Sequence, residues 1–215
     1  RAVPPDPAFP TLVPEVHPGR FGDRQGWEML SLPRIARGAL LVNFCNLAPL
    51  LHGNSVVMIH DAQTFLHPED YTGRQATGYR ALSPWIGRRA QRILTVSAFS
   101  RGSLADHGIG TRDKIDVVHN GTNHILDVPA DPAILTQHGL DGTRYVMTLG
   151  STKGYKNIRR VFEAMGHLDL LGVRLVVAGG APEARYRDAG WIPPAGTVFT
   201  GFVSDGELRA LYEGA

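Results

Sequence analysis

Residues 144–157, RYVMTLGSTKGYKN, join an apolar run to a glycine turn and the start of a helical pattern. The first six residues are apolar enough for a buried strand, and Gly150 and Ser151 end it. Such a junction directs backbone N–H groups and the positive end of a helix dipole towards one point, which favours a bound phosphate. Lys153 and Lys156 add positive charge beside that point, although two solvated lysines at the start of an ordinary helix would give the same pattern.

The composition of the 215-residue chain is that of a globular protein, with 43% hydrophobic and 20% charged residues. The net charge is only +2 and no Lys/Arg run occurs, so a nucleic-acid partner is disfavoured. The single cysteine, Cys45, excludes an internal disulfide and fits a reducing compartment. Because Cys45 lies in an apolar run, we expect a buried, inert thiol.

Targeting signals are not evident in the sequence. No stretch approaches the ~18 apolar residues of a spanning helix, and the N-terminus lacks a signal-peptide pattern. We therefore expect a cytoplasmic protein. A basic helix face built from Arg74, Arg80, Arg88 and Arg89 is compatible with peripheral contact at the inner membrane face, but a solvated helix face is the preferred explanation.

Strand and helix patterns alternate in the first half of the chain, after an irregular proline-rich arm at residues 1–26. Strands are predicted at residues 39–44, 55–59, 92–96 and 114–118, and helices at residues 27–37, 73–89 and 99–107. Ser97 is placed to cap the last of these helices. This alternation is typical of parallel βαβ units. The second strand brings His60 and Asp61 to its carboxyl end, where open parallel sheets bind ligands.

A second α/β segment follows a break at residues 122–143, which are rich in proline and glycine and contain one helical piece at residues 132–138. Strands are then predicted at residues 144–149, 173–178 and 197–200, with helices at residues 157–167, 181–189 and 205–212. We predict an α/β fold with two Rossmann-like domains, both built on parallel sheets. Residues 1–121 form the first domain, residues 122–143 the linker and residues 144–215 the second domain.

Segments along residues 27–215 resemble retaining glycosyltransferases of family four, which have the two-Rossmann-domain GT-B fold. The matching segments, in order, are WEMLSLPR, VVMIHDAQTF, RILTVSAFSR, IDVVHNG, YVMTLGSTKGYKNI, LVVAGG and VFTGFVSDGELRALYEGA. Any one would be weak evidence, but all occur in the family's order and approximate spacing. The resemblance is strongest to bacterial members that transfer mannose or a related sugar in building surface polysaccharides.

The resemblance assigns the donor diphosphate to Gly150, Ser151 and Lys156. Gly150 and Ser151 match a strand-end pair whose second member is often an arginine in the family. Here it is Ser151, so its hydroxyl, backbone N–H groups and Lys156 would hold the diphosphate. Gly179 and Gly180 would allow close approach of ligand and backbone. A plain strand-to-loop turn also explains these two glycines.

The resemblance makes His60 the catalytic residue, hydrogen-bonded to a hydroxyl of the transferred sugar. A purely structural imidazole at a strand end is the alternative. Asp61 is expected to hold loop N–H groups rather than to act as a base. Phe202 and Val203 match the turn at which family members clasp the nucleobase, largely through backbone atoms.

Two features of the family are missing from these residues: the glycine-rich loop after the first strand and a pair of glutamates separated by seven residues. Glu213 belongs to a different helix and is not a member of that pair. We therefore expect the 215 residues to be the middle of a longer enzyme, with both Rossmann-like domains incomplete and activity of this fragment alone in doubt.

The implied reaction moves a sugar from a nucleotide diphosphate donor to an acceptor hydroxyl with retention of anomeric configuration. The acceptor is a saccharide or a lipid-linked acceptor. The resemblance implies that neither a metal nor a cofactor takes part, and the sequence shows no His/Cys/Asp cluster with metal-ligand spacing, which agrees. Domain closure about residues 122–143 would exclude water. Rival functions are a nucleotide-sugar epimerase of similar fold and a non-catalytic nucleotide-sugar-binding module. A nicotinamide-dependent dehydrogenase is disfavoured because no G-x-G-x-x-G follows a strand.

Overall fold

Residues 25–168 and 172–215 are described by the structure, which is a computed structural model. The chain divides into two compact units between His119 and Asn120. The arm predicted for residues 1–26 lies outside the described residues except for its last two, which begin a helix.

The first unit contains a parallel sheet in the order β1-β2-β3-β4. Its strands are β1 (Leu41–Asn43), β2 (Ser55–Met58), β3 (Arg92–Thr95) and β4 (Ile115–Val117). Its helices are α1 (Gln25–Leu30), α2 (Leu32–Ile35), α3 (Gln63–Leu66), α4 (Gly73–Arg89) and α5 (Ala98–Asp106), with short 3₁₀ turns at Pro68–Asp70 and Arg112–Lys114. Val57 and Ile93 are completely buried at the centre of the sheet, as expected for strands covered by helices.

Helix α4 begins and ends where its sequence pattern predicts. Thr72 caps it through a capping box, in which its hydroxyl accepts from the Gln75 backbone N–H and the Gln75 side chain accepts from the Thr72 N–H. Ser83 and Ile86 face the core. The arginines predicted to point outward, Arg74, Arg80, Arg88 and Arg89, are exposed. Across residues 25–168 and 172–215, no helix combines the length and apolar character needed to cross a bilayer.

The second unit contains a parallel sheet in the order β5-β6-β7. Its strands are β5 (Tyr145–Leu149), β6 (Arg174–Ala178) and β7 (Val198–Gly201), and its helices are α6 (His124–Asp127), α7 (Ala133–Gln137), α8 (Ile158–Leu168), α9 (Glu183–Asp188) and α10 (Asp205–Glu213). Neighbouring residues of β6 face opposite layers, as strand geometry requires. Val176 packs in a cluster with Tyr145, and Val177 packs in another with Phe162.

Residues 122–143, the segment predicted as a linker, fold in the second unit against α10. Helices α6 and α7 both contact α10. The Arg209 guanidinium donates to the carbonyl oxygens of Leu126 and Val128, each at 2.7 Å. The Asp131 N–H donates to the Gly206 carbonyl at 2.9 Å. These contacts attach the segment to the second sheet through the helix that follows β7.

The fold-class prediction is confirmed: the protein is α/β, with parallel strands in two Rossmann-like groups. Two local expectations were wrong. The sequence predicts a polar loop at residues 62–72, but this segment contains α3 and a 3₁₀ turn, because a four-residue helix is too short to show a periodic pattern. Cys45 is exposed rather than buried, because it follows the end of β1 instead of lying within the strand.

Candidate functional site

The carboxyl ends of β5, β6 and β7 are joined edge to edge by backbone hydrogen bonds. The Gly150 N–H donates to the Ala178 carbonyl at 2.8 Å, and the Gly179 N–H donates to the Gly201 carbonyl at 2.7 Å. The residues predicted to bind the donor, 150–151, 179–180 and 202–203, therefore follow neighbouring strands of one sheet. This edge is where parallel α/β sheets bind ligands.

Gly150 and Gly180 touch through their backbones. A Cβ atom built on Gly180 would lie 2.6 Å from the carbonyl carbon of Gly150, and one built on Gly150 would lie 2.6 Å from the Gly179 oxygen. Gly180 also has φ +72°, a conformation that side-chain-bearing residues rarely adopt. Glycine is therefore required at both strand ends by contact between the two loops.

The backbone after β5 differs from the simple strand-to-helix junction predicted from the sequence. Residues Gly154–Lys156 form a 3₁₀ turn, and Asn157 takes a left-handed conformation with φ 55° before α8 begins. Lys156 therefore ends the 3₁₀ turn, two residues before α8 begins. The Ser151 hydroxyl oxygen accepts from the Lys153 N–H at 3.2 Å, which shapes the loop and leaves the hydroxyl proton able to donate.

Lys153 and Lys156 both approach the ring of Tyr155. Their ammonium nitrogens lie 5.7 and 5.4 Å from the ring centroid, within the range of cation–π attraction. The Lys156 side chain is exposed and Lys153 is partly buried. The loop after β5 therefore holds two positive charges around one aromatic ring, and Tyr155 is a contact that the sequence pattern did not reveal.

Tyr186 of α9 lies beneath the ends of β5 and β6. Its side chain is completely buried against Phe162 and Phe199, yet its hydroxyl has no hydrogen-bond partner among the described residues. The hydroxyl lies 2.8 Å from the position of a Cβ on Gly150. Burial raises the pKa of this phenol, and the nearby backbone N–H groups of Ser151 and Ala181 oppose that rise without reaching hydrogen-bond geometry.

The turn after β7 presents an aromatic side chain to solvent. Phe202 is 95% exposed, whereas Val203 is half-buried against the cluster that contains Tyr145 and Val176. Gly201 before them has φ +69°, so the chain turns sharply out of the strand. Ser204 then caps α10. An exposed phenyl ring at this edge offers a flat apolar face in addition to the backbone contacts predicted from the sequence.

His60 lies two residues beyond β2, at the carboxyl edge of the first sheet, and is held there by several contacts. Its backbone N–H donates to Asn46 Oδ1 at 2.8 Å, and its carbonyl accepts from the Thr95 hydroxyl at 3.2 Å. Its ring Nε2 lies 2.9 Å from the Phe44 carbonyl oxygen. As predicted, Asp61 accepts a loop N–H, that of Gln63, at 2.9 Å.

A polar cavity of about 190 Å³ opens beside His60, between the end of β2 and helix α4. Its lining includes the side chains of Asn46, Asp61, Thr64, Phe65, Tyr79 and Ser83. These residues come from distant points in the sequence, and only Asp61 among them was considered from the sequence. The hydroxyls of Thr64, Tyr79 and Ser83 form no hydrogen bond with another described residue.

A potential metal-binding group occurs in the segment before α4. His67, Glu69 and Asp70 bring ligand atoms within 4.8 Å of one another. His67 Nδ1 lies 3.2 Å from a Glu69 carboxylate oxygen. Partly exposed charged groups of this kind commonly pair without an ion, so the residues fit a cation only by proximity.

The fold is shared with a solved bacterial protein. Two crystal structures of HepE from Anabaena, one in complex with UDP-glucose and one in complex with UDP and glucose, are similar to this chain with a TM-score of 0.61 and 16% sequence identity. The match covers 87% of this chain and 54% of HepE, so the chain spans about half the length of that protein. No protein-family model and no curated protein sequence matches the chain.

Proposed function

We propose that this chain is part of a glycosyltransferase that uses a nucleotide diphosphate sugar. The observation that carries the proposal is the meeting of Gly150-Ser151, Gly179-Gly180 and Phe202-Val203 at one sheet edge, with Lys156 in the loop beside them. The GT-B-like fold shared with HepE supports it, because HepE was crystallised with UDP-glucose.

The diphosphate is proposed to bind at the loop after β5. Loss of the leaving group places negative charge on the β-phosphate, and a nearby ammonium stabilises that charge more strongly in the transition state than in the bound donor. Lys156 is exposed and follows the Ser151 turn, so its ammonium is available to an anion. Close contact of Gly150 with Gly180 leaves no side chain between the ligand and the two backbones.

The nucleobase is proposed to lie against the turn after β7. Phe202 offers an exposed ring for stacking, and backbone atoms of Phe202 and Val203 offer hydrogen bonds to the edge of the base. Uracil is the first candidate because HepE binds UDP. This candidate comes from a protein only 16% identical to the chain, so the base is best established by comparing nucleotides.

His60 is proposed to contact a hydroxyl of the transferred sugar, with the acceptor bound by the first unit. Its ring is held by the Phe44 carbonyl, which orients the other ring nitrogen as a hydrogen-bond acceptor. Membership of family four, retention of configuration, transfer of mannose and independence from metal and cofactor rest on the sequence resemblance alone. Cytoplasmic location, peripheral membrane contact and hinge closure about residues 122–143 are likewise proposals from the sequence.

The proposal is tested by titrating UDP, GDP, ADP and TDP into wild-type protein and two lysine variants, using thermal shift and calorimetry. We expect one nucleotide diphosphate to stabilise the protein. Lys156→Ala should weaken that binding by about 1–3 kcal/mol, the scale of a charge-assisted contact. Lys153→Ala is the matched control, since it removes the other ammonium on Tyr155 and should weaken binding less.

An equal loss of nucleotide affinity in both lysine variants would contradict a specific role of Lys156 in binding the diphosphate. The absence of stabilisation by any nucleotide would contradict nucleotide-sugar binding by this chain. With the binding nucleotide known, incubation of its sugar conjugates with saccharide acceptors distinguishes transfer from epimerisation. An epimerase would convert the free nucleotide sugar without an acceptor, and the anomeric configuration of a transfer product would establish retention or inversion.

A further inference from the structure

We propose that the cavity between β2 and α4 binds one uncharged sugar ring of the acceptor and rejects phosphorylated or acidic sugars. That the ligand is an acceptor rests on the proposed function. That it is an uncharged sugar rests on the side chains of the cavity. One experiment distinguishes the two.

The polar groups of the cavity match a polyhydroxylated ligand. Thr64, Tyr79 and Ser83 contribute hydroxyls that no described residue engages. Ser83 is buried and Thr64 and Tyr79 are partly buried, so a ligand or water in the cavity would satisfy hydroxyls that the protein leaves unpaired. A sugar hydroxyl both donates and accepts, so it can pair with each of these groups.

The carboxylate and amide at the mouth of the cavity add fixed acceptor and donor atoms. Asp61 Oδ1 accepts the Gln63 N–H, which fixes the carboxylate and leaves Oδ2 as an acceptor for a ligand hydroxyl. Asn46 Oδ1 accepts the His60 N–H, so its NH₂ group is oriented by that bond. The Asn46 side chain therefore lines the cavity and also hydrogen-bonds the backbone of His60.

Aromatic rings supply the apolar part of the cavity wall. Phe65, Tyr71 and Tyr79 all line it. The C–H faces of a pyranose pack on such rings while its hydroxyls reach the polar groups, the combination typical of specific small-molecule sites.

The charge of the lining selects against anions. No lysine, arginine or histidine is among the described residues that line the cavity, whereas Asp61 is. Arg80 has its guanidinium carbon 5.8 Å from the centroid of the Phe65 ring, but Arg80 does not line the cavity. A phosphate or carboxylate placed in the cavity would meet the Asp61 carboxylate without a compensating cation.

The size of the cavity limits the ligand to one ring. A cavity of about 190 Å³ is somewhat larger than the ~150 Å³ cavity that accommodates one benzene ring, which suits a single hexopyranose. A disaccharide or a nucleotide exceeds it. Further acceptor residues would therefore extend outside the cavity.

The test titrates the wild-type chain with D-mannose, D-glucose and D-galactose, and with glucose 6-phosphate and glucuronate, by ligand-observed NMR. We expect at least one neutral sugar to bind with millimolar affinity and both anionic sugars to bind at least about tenfold more weakly. Tyr79→Phe and Thr64→Val each remove one hydroxyl with little change of shape and should weaken the neutral sugar about fivefold. Thr77→Val, on the exposed face of α4, should leave binding unchanged.

Equal affinity for neutral and anionic sugars, no binding of any neutral sugar, or equal behaviour of all three variants would each overturn the proposal. Melting temperatures of the variants are compared with the wild type, and Thr64→Ser, which keeps the hydroxyl but removes the methyl group, is a second control that should bind the neutral sugar like the wild type. UDP titration of the same samples separates the two ideas. Sugar binding without nucleotide binding supports the cavity and contradicts the proposed function, and nucleotide binding without sugar binding does the reverse.

Discussion

His60 Nε2 lies 2.9 Å from the carbonyl oxygen of Phe44. A carbonyl oxygen only accepts, so in the neutral imidazole Nε2 carries the proton and Nδ1 presents its lone pair. The fold thereby sets both the orientation and the tautomer of the ring. A sugar hydroxyl can donate to Nδ1, which makes His60 suited to accept a hydrogen bond rather than to supply one.

Replacing His60 by alanine should affect turnover and stability by different amounts. Loss of the proposed hydrogen bond to the reacting sugar, about 1–3 kcal/mol, predicts a fall in kcat/KM of about fivefold to 150-fold. Loss of the bond to Phe44 predicts a fall of about 1 kcal/mol in the free energy of unfolding. Steady-state kinetics and urea unfolding measure the two effects.

His52→Ala is the matched control for this prediction. His52 Nε2 lies 3.1 Å from the Ala39 carbonyl, so it too is a histidine held by a backbone oxygen, but it precedes β2 rather than following it. We expect a similar loss of stability and unchanged kinetics. Equal kinetic effects of the two substitutions would make His60 a structural residue only.

Contact between the glycines at the ends of β5 and β6 predicts an unequal cost for two alanine substitutions in the second unit. Gly180→Ala strains a backbone at φ +72° and forces Cβ to within 2.6 Å of Gly150, whereas Gly190→Ala strains a backbone at φ +76° but has open space. We expect about 1 kcal/mol for Gly190→Ala and about 2–4 kcal/mol for Gly180→Ala. Urea unfolding measures both.

Nucleotide binding gives a second measure of the same pair. Gly180→Ala displaces the loop proposed to approach the diphosphate, and Gly190 lies at the far end of α9. Affinity for the preferred nucleotide should fall only in Gly180→Ala. Equal stability losses for the two variants would mean that the loops after β5 and β6 move apart without cost.

Elements with strong periodicity were predictable from the sequence. Helix α4 was predicted with its observed bounds, because seventeen residues hold several repeats of one apolar face. The buried strands around Val57 and Val176 were also predicted, because continuous apolar runs bounded by turns leave few alternatives.

The cavity and the fine shape of the donor loop were not predictable in the same way. The cavity is assembled from side chains on separate elements, such as Asn46, Asp61 and Tyr79, whose meeting depends on tertiary packing. The turn before α8 depends on the left-handed conformation of a single residue, Asn157, and a periodic pattern contains no information about one residue's backbone conformation. The predicted donor residues stand together on one sheet edge, but their roles remain predictions.

Two buried tyrosines of the second unit predict opposite responses to loss of a hydroxyl. The Tyr145 hydroxyl donates to the Leu211 carbonyl at 2.7 Å, so Tyr145→Phe should lower the free energy of unfolding by about 1–2 kcal/mol. The Tyr186 hydroxyl has no partner among the described residues, so Tyr186→Phe should leave stability unchanged or raise it slightly. Urea unfolding distinguishes the two. A loss in Tyr186→Phe as large as in Tyr145→Phe would mean that the hydroxyl is satisfied in solution.

The capping box at the start of α10 predicts a stability term that depends on pH. The Ser204 N–H and hydroxyl donate to Glu207 Oε2 at 2.7 and 2.9 Å, and these bonds, the backbone one first, hold the pKa of the Glu207 carboxyl below its ordinary value of 4.5. A carboxyl whose pKa is lower in the folded state than in the unfolded state stabilises the protein at a pH above its unfolded-state pKa. That stabilisation is lost as the pH falls through the folded value.

Glu207→Gln should keep the capping geometry and remove this titration, so the free energy of unfolding should fall less steeply below pH 4.5 than in the wild type. The capping box of α4 already has Gln75 in the equivalent position and provides the reciprocal variant. Gln75→Glu should steepen the acid limb by the same mechanism. Urea unfolding between pH 3 and 7 measures both slopes. Parallel acid limbs in wild type and Glu207→Gln would show that the carboxylate adds nothing to the cap that an amide does not.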